Sequence, residues 1–178
     1  LFAYENSSAP GLLSAMAEAE QPLHLLVPQG RVSSSVASFL GQTLEAGTIA
    51  VRGALSLQAI PFLSQADYDQ LLWSCDLNCV RGEDSFVRAQ WAGKPFLWQI
   101  YPQEENVHLD KLEAFLRLYC ENLSENAKLT LKTFWLNWNK KENVQNSWQK
   151  LLEIMPELNE NAENWCFKQT KQIYNYAS

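Results

Sequence analysis

The chain has 178 residues, 47% hydrophobic and 12% aromatic, enough to bury a sizeable core as one domain plus an appendage without help from metals or disulfides. Fourteen basic against twenty acidic residues leave a net charge of −6 with no basic block, which argues against direct nucleic-acid binding through phosphate neutralisation. No apolar run approaches the ~18 residues of a membrane span and no charged leader with a cleavage site opens the chain, so a cytoplasmic protein away from membranes is expected.

The chain opens with Leu1 rather than Met, and Leu1 to Tyr4 reads as a strand already under way, as in a fragment of a longer protein. Pro10 sits in the first turn of a helix carrying Leu12, Leu13, Met16 and Ala17 at helical spacing. Leu23 to Val27 is a strand, Pro28 to Arg31 a loop, and Ser34 to Gly41 a helix; Thr48 to Val51 and Leu55 to Leu63 are further strands. Ser64 is a good N-cap for a helix from Gln65 to Trp73, with Asp67 three residues on. This alternation predicts an α/β fold, a Rossmann-like and mostly parallel sheet flanked by helices.

The stretch from Asp76 to Tyr101 organises the rest. Asp76 to Val80 reads as a strand broken by Arg81 and Gly82. Asp84 or Ser85 supplies an N-cap oxygen, and a helix carries Phe86, Val87, Gln90 and Trp91 until Gly93 and Pro95 stop it. Phe96 to Tyr101 is the next strand. A strand, a tight polar turn and a helix start can hold phosphate, because the first helical amides lack internal partners and the dipole favours an anion. Carboxylates repel phosphate, so Asp84 is expected to turn inward as a cap, leaving the Ser85 and Phe86 amides for the ligand. Simple capping and dipole complementation by Glu83 and Asp84 is the alternative.

A loop follows over Pro102 to Asn106, then an amphipathic helix from His108 to Cys120 with Leu109, Leu112, Phe115, Leu116 and Tyr119 on one side. Beyond it, Trp135, Trp138, Trp148 and Trp165 fall at helical spacing in two or three helices interrupted near Lys140 and Pro156. Such a stripe reads as packing rather than a ligand site. Cys75, Cys79, Cys120 and Cys166, with only His24 and His108 beside them, show no zinc spacing; free thiols and no bound metal are expected. Asn6 and Asn122 stand in N-x-S triplets that carry no weight without a secretory route.

Open α/β sheets bind ligands where the loops after the strands gather. Here those loops hold Tyr4 and Glu5, Gln29 to Ser33, Pro61 to Gln65, Arg81 to Ser85, and Tyr101 to Glu104. Phe62 and Tyr101 could stack on a planar base whose polar edge Gln65 reads through its amide. Equally, Phe62 could plug the core and Gln65 merely begin a helix.

The string RGEDSFVRAQWAGKPFLWQIYPQ, from Arg81 to Gln103, closely resembles the corresponding segment of the EarP family, the protein-arginine rhamnosyltransferases that modify elongation factor P. The similarity runs from Leu1 to about Phe115 and thins through the helical tail. It implies a GT-B glycosyltransferase, two Rossmann-like domains facing across a cleft, of which this chain resembles the C-terminal, donor-binding half: residues 1–120 as the nucleotide-sugar domain and 121–178 as a helical extension. The family transfers L-rhamnose, with inversion, from dTDP-β-L-rhamnose to an arginine of elongation factor P. On matching positions the resemblance implies that Phe62 and Gln65 contact thymine, with Tyr68 in an aromatic wall. Glu83, Asp84, Ser85 and Tyr101 would surround ribose, diphosphate or rhamnose, with Phe2 and Tyr4 a further pair near the donor.

Glu83 would be the catalytic carboxylate of this half, orienting the acceptor guanidinium. No cofactor and no metal are expected. The aspartates that the family uses near its amino terminus have no counterpart here, so this chain alone should bind donor without transferring sugar. Two other readings stay open: a non-catalytic nucleotide-sugar or interaction module, and the donor domain of an enzyme using a UDP-sugar.

Overall fold

The computed structural model describes residues 1–103 and 107–176, with the side chains of 172–176 outside the description. Glu104, expected in the last ligand loop, therefore falls outside it, as does most of the predicted 102–106 loop. In chain order the elements are α1 (Ala9–Ala17), β1 (Leu23–Pro28), α2 (Ser33–Leu40), β2 (Ile49–Arg52), β3 (Leu55–Ile60), α3 (Gln65–Ser74), β4 (Asn78–Arg81), α4 (Asp84–Trp91) and β5 (Phe96–Gln99). Four helices complete the chain: α5 (Val107–Tyr119), α6 (Glu125–Lys140), α7 (Gln145–Glu153) and α8 (Met155–Tyr176).

The expected α/β class holds, with parallel pairing of β1 to β3 and of β4 to β5. One strand departs from it. β2 runs antiparallel to β3, because Gly53 and Ala54 alone join them and two residues can make a hairpin but not the crossover that parallel strands need. Gly53 is required there: its φ is +55°, and a Cβ would lie 2.1 Å from the Ala17 carbonyl oxygen at the end of α1. The Ala54 amide donates to that same oxygen at 2.9 Å, which pins the hairpin under α1.

Leu1 to Tyr4 is not a strand, contrary to expectation, though it lies where a central strand would. The Leu1 nitrogen donates to Leu26 O of β1 and the Phe2 amide to Cys79 O of β4, so the segment bridges the two pieces of sheet. The next amide that could extend the pairing, that of Tyr4, is taken instead by the Gln99 side chain at 2.8 Å. Strand ends also come early: β3 stops at Ile60 before Pro61, and β5 at Gln99 rather than Tyr101.

The helical tail breaks after Lys140 and at Ile154, as read from the sequence, and gives three helices. Three of its tryptophans, Trp135, Trp138 and Trp148, are buried in the core, and Trp165 packs half-buried against it. Trp135 and Trp138 are fully buried, and Phe115 of α5 stacks on Trp135 with centroids 6.0 Å apart and planes 8° from parallel. Phe96 of β5 meets the same indole at 5.5 Å. One cluster of buried side chains thus runs from Ala3 to Leu158. Fully burying a side chain of this size contributes roughly 1.5–3 kcal/mol, so α6 is a major part of what holds β5 in place. All four cysteines are free.

Candidate functional site

The site is built on the turn between β4 and α4. Arg81 ends the strand, and Gly82 takes a left-handed φ of +67° with its amide bonded to Gln99 O at 3.0 Å. The Trp98 indole donates to Gly82 O at 2.7 Å, so both faces of the turn are held by β5. A Cβ on Gly82 would come within 3.0 Å of the Tyr4 hydroxyl, a second reason for glycine here.

Glu83, not Asp84 or Ser85, occupies the N-cap position of α4, and its side chain makes no capping bond. Asp84 is the first helical residue. Its carboxylate does not turn inward but accepts from Arg88 Nε at 3.0 Å, one turn on, where the spacing brings opposite charges together. Arg88 also bonds Asp69 of α3 at 2.8 Å, so this guanidinium ties α3 to α4 and draws Asp84 away from the cap. The amides of the first turn therefore have no partner within the helix, and no carboxylate covers them from the cap.

Beside this helix start lies a cleft of about 320 Å³ lined by six of the predicted residues: Phe2, Phe62, Gln65, Tyr68, Asp84 and Ser85. Phe62 is 76% exposed, so it is no core plug; a large aromatic ring stands free at the rim. Ser64 caps α3 as predicted, its Oγ accepting from the Asp67 amide at 3.2 Å, which leaves the side chain of Gln65 facing the cleft. Burial pushes the Tyr68 phenol up to about 12, so it is a neutral donor at ordinary pH. Pro28, Leu63 and Ser64 complete the lining; Leu63 and Ser64 belong to the Pro61 to Gln65 loop expected there, and none of the three was named as a ligand contact.

Tyr4, Glu83 and Tyr101 do not line that cleft. Tyr4 and Tyr101 meet edge-to-face at 5.8 Å, with Tyr101 56% exposed. The two groups are joined by Arg81, whose guanidinium carbon lies 4.4 Å from the Phe2 ring and 4.7 Å from the Tyr4 ring. Phe2 in turn is edge-on to Tyr68 at 5.6 Å, and Arg31 approaches Tyr4 at 5.9 Å. A continuous row of rings with a cation held between two of them therefore runs from the cleft to Tyr101. Sequence reasoning named Arg81 as a strand breaker and as the first residue of the Arg81 to Ser85 loop, and gave it no contact of its own. The available signal was its place as the last strand residue before a helix start, where ligand loops gather. Glu83 is exposed at the N-cap with its carboxylate unengaged by any cap bond.

Residues 1–175 match the family model described as Elongation-Factor P (EF-P) rhamnosyltransferase EarP. The chain belongs to the EarP family. It is 54% identical over 170 residues to a protein-arginine rhamnosyltransferase of Pseudomonas aeruginosa, a match covering 95% of this chain and 45% of that protein. The same name attaches to a Shewanella oneidensis relative, 42% identical over 173 residues, with 93% and 44% covered. A solved structure described as the structural basis for EarP-mediated arginine glycosylation of translation elongation factor EF-P superposes with a TM-score of 0.88 at 45% identity, covering 99% of this chain and 59% of that one. The chain thus spans about half the length of the curated EarP relatives it matches, and the α/β fold of its described residues is the one found there. Among the described residues no three His, Cys, Asp or Glu side chains cluster as a metal site would, and no helix is long and apolar enough to cross a membrane.

Proposed function

We propose that this chain is the donor-binding half of an inverting GT-B arginine rhamnosyltransferase, holding dTDP-β-L-rhamnose for transfer of L-rhamnose to an arginine of elongation factor P. The observation that carries the reading is one cleft, in an EarP-family chain, with an exposed aromatic rim at Phe62 and an uncapped helix start at Ser85. The ring accepts a planar base and the amides accept an anion, the two ends of a nucleoside diphosphate.

In this reading Phe62 and Tyr68 flank thymine, Gln65 pairs with its polar edge, and the Ser85 hydroxyl and first-turn amides of α4 take the diphosphate. Arg81 adds positive charge from its place between Phe2 and Tyr4. Asp84 and Tyr101 meet the ribose or rhamnose hydroxyls. Transfer forms a bond from an acceptor guanidino nitrogen to the anomeric carbon while the bond from that carbon to the diphosphate oxygen breaks, and dTDP leaves. The nitrogen gives up one proton to a carboxylate. Guanidinium is a poor nucleophile and always charged, so Glu83, exposed beside the helix start, orients it and draws on that proton together with carboxylates from the remainder of the protein.

No metal is needed in this scheme, because oriented amides and Arg81 stabilise the leaving diphosphate; a chelator leaves transfer unchanged, and a requirement for Mg²⁺ contradicts this point. An acceptor that is a translation factor makes the cytoplasm the place of action. The test is Glu83→Gln in the complete protein. Transfer falls by roughly a hundredfold or more while dTDP affinity is kept, as removal of a proton-handling carboxylate predicts. Normal turnover of this variant refutes the role, and binding without transfer by the unmutated protein points to a non-catalytic module.

A further inference from the structure

Arg88 does not line the cleft, yet it holds a residue that does. Its Nε donates to Asp84 Oδ2 at 3.0 Å, and its Nη1 to both carboxylate oxygens of Asp69 in α3, at 2.9 and 2.8 Å. The bonds to Asp69 tie two helices together. The bond to Asp84 stays within α4 and ties nothing, so it calls for another account. Asp84 is the first residue of the helix, its side chain is 73% exposed, and it stands beside Ser85 in the cleft wall. A carboxylate in a first helical turn is attracted to the unpaired amides and the positive dipole end there, which is the place an anionic ligand needs. Arg88 competes with the helix start for that carboxylate, and in the structure Arg88 has it.

We propose that Arg88 is a positioning residue for donor binding: it holds the Asp84 carboxylate off the start of α4 and balances its charge, keeping the first-turn amides open to the diphosphate. The inference rests on the donor reading above and extends it to a residue that acts through another. Arg88 makes the one bond that the Asp84 carboxylate has among the described residues. Once released, that carboxylate turns onto the amides of its own helix as a competing anion, and its charge faces the ligand uncompensated. Asp69 anchors the guanidinium from the far side, which keeps Arg88 in reach of Asp84. The base lies outside this effect, because its contacts are at Phe62 and Gln65 and it carries no charge.

A double-mutant cycle tests this. Arg88→Met, Asp84→Asn, their double variant and Asp69→Asn of the complete protein are titrated with dTDP and with thymidine. Arg88→Gln replaces Arg88→Met throughout if the latter shows no cooperative melt. Arg88→Met weakens dTDP binding by about five- to tenfold, as an uncompensated charge at a partly buried helix start predicts. Thymidine, which has no phosphate, binds as before. In the Asp84→Asn background, where no carboxylate is left to compete, Arg88→Met weakens dTDP by less than about twofold. Asp69→Asn removes the tie between helices but keeps the pair of Arg88 with Asp84, so dTDP affinity stays within about twofold. Unchanged dTDP affinity in Arg88→Met overturns the inference, as does an equal loss for thymidine. A full repeat of the loss in the Asp84→Asn background overturns it too, by making Arg88 a direct source of positive charge. An equal loss in Asp69→Asn reduces Arg88 to a structural tie and likewise overturns it. Failure of the unmutated protein to bind dTDP overturns the donor reading itself, and this inference with it.

Discussion

The buried side chain of Gln99 accepts the Tyr4 amide through Oε1 at 2.8 Å, while its own carbonyl takes the Gly82 amide at 3.0 Å. One residue of β5 therefore fixes both the opening segment and the β4–α4 turn, the two pieces that place Tyr4 beside Arg81. Gln99→Leu keeps the volume and leaves the Tyr4 amide without its partner. An unsatisfied buried donor costs about 1–3 kcal/mol, so chemical denaturation should show a loss of that order, with weaker dTDP binding because Tyr4 and Arg81 are no longer held together. Unchanged stability and affinity would show that Gln99 merely fills space.

Phe62 separates binding from folding. At 76% exposure its truncation to Ala removes little packing, and stability should move by no more than about 0.5 kcal/mol. Stacking of a base on an aromatic ring is worth roughly 1–3 kcal/mol, so dTDP affinity should fall by about tenfold or more. Loss of stability without loss of affinity would return Phe62 to a structural role.

The helical tail is tied to the site by Asn139 of α6. Its Oδ1 accepts from the Ile100 amide at 2.9 Å, and its Nδ2 donates to Trp98 O and Trp135 O at 2.8 Å each. Asn139→Ala leaves groups at the end of β5 unpaired and should cost about 1–3 kcal/mol by denaturation. A chain cut after Cys120 also loses Trp135 and Trp138 from the shared core, and calorimetry should show no cooperative unfolding transition. A sharp transition in the truncated chain would make the tail dispensable.

Much of the fold and site was legible because it depends on local signals. Ser64 with Asp67, Pro10 in the first turn of α1, and the strand-turn-helix run from Asn78 to Trp91 each announce themselves within a few residues. What was not legible depends on partners distant in sequence. Asp84 was expected to cap α4, but Arg88 draws it off, and Arg88 is anchored by Asp69 nineteen residues away. Asn6 read only as part of an N-x-S triplet; it is fully buried, its Nδ2 donating to Trp138 O at 2.8 Å across 132 residues. Arg81 shows its use only once Phe2 and Tyr4 are brought to either side of it.

Alkaline pH should unfold the protein in two overlapping windows. Burial pushes the Cys120 thiol from 9.0 up to about 11 and the Tyr68 phenol from 10.0 up to about 12. In each case the folded state holds the proton more tightly than the unfolded one. The stabilisation is therefore complete below the unfolded value and is lost as pH rises through the folded value. Melting temperature should fall from about pH 9, and Cys120→Ala should make that fall shallower without removing it, because burial pushes the Cys75 and Cys79 thiols up from 9.0 as well. A flat profile up to pH 11 would contradict both shifts.

The most direct test of the donor cleft is calorimetric titration of the protein with dTDP, dTDP-β-L-rhamnose and UDP, repeated with Ser85→Asp and Ser85→Ala after circular dichroism shows each variant folded. The cleft as described predicts binding of both dTDP ligands and weaker binding of UDP. A thymine methyl in an apolar pocket is worth only about 1–3 kcal/mol, so the preference should be modest. If the diphosphate rests at the start of α4 as proposed, Ser85→Asp should abolish binding and Ser85→Ala weaken it. If folded Ser85→Asp binds dTDP as tightly as the unmutated protein, the diphosphate lies elsewhere and the assignment of this cleft is wrong.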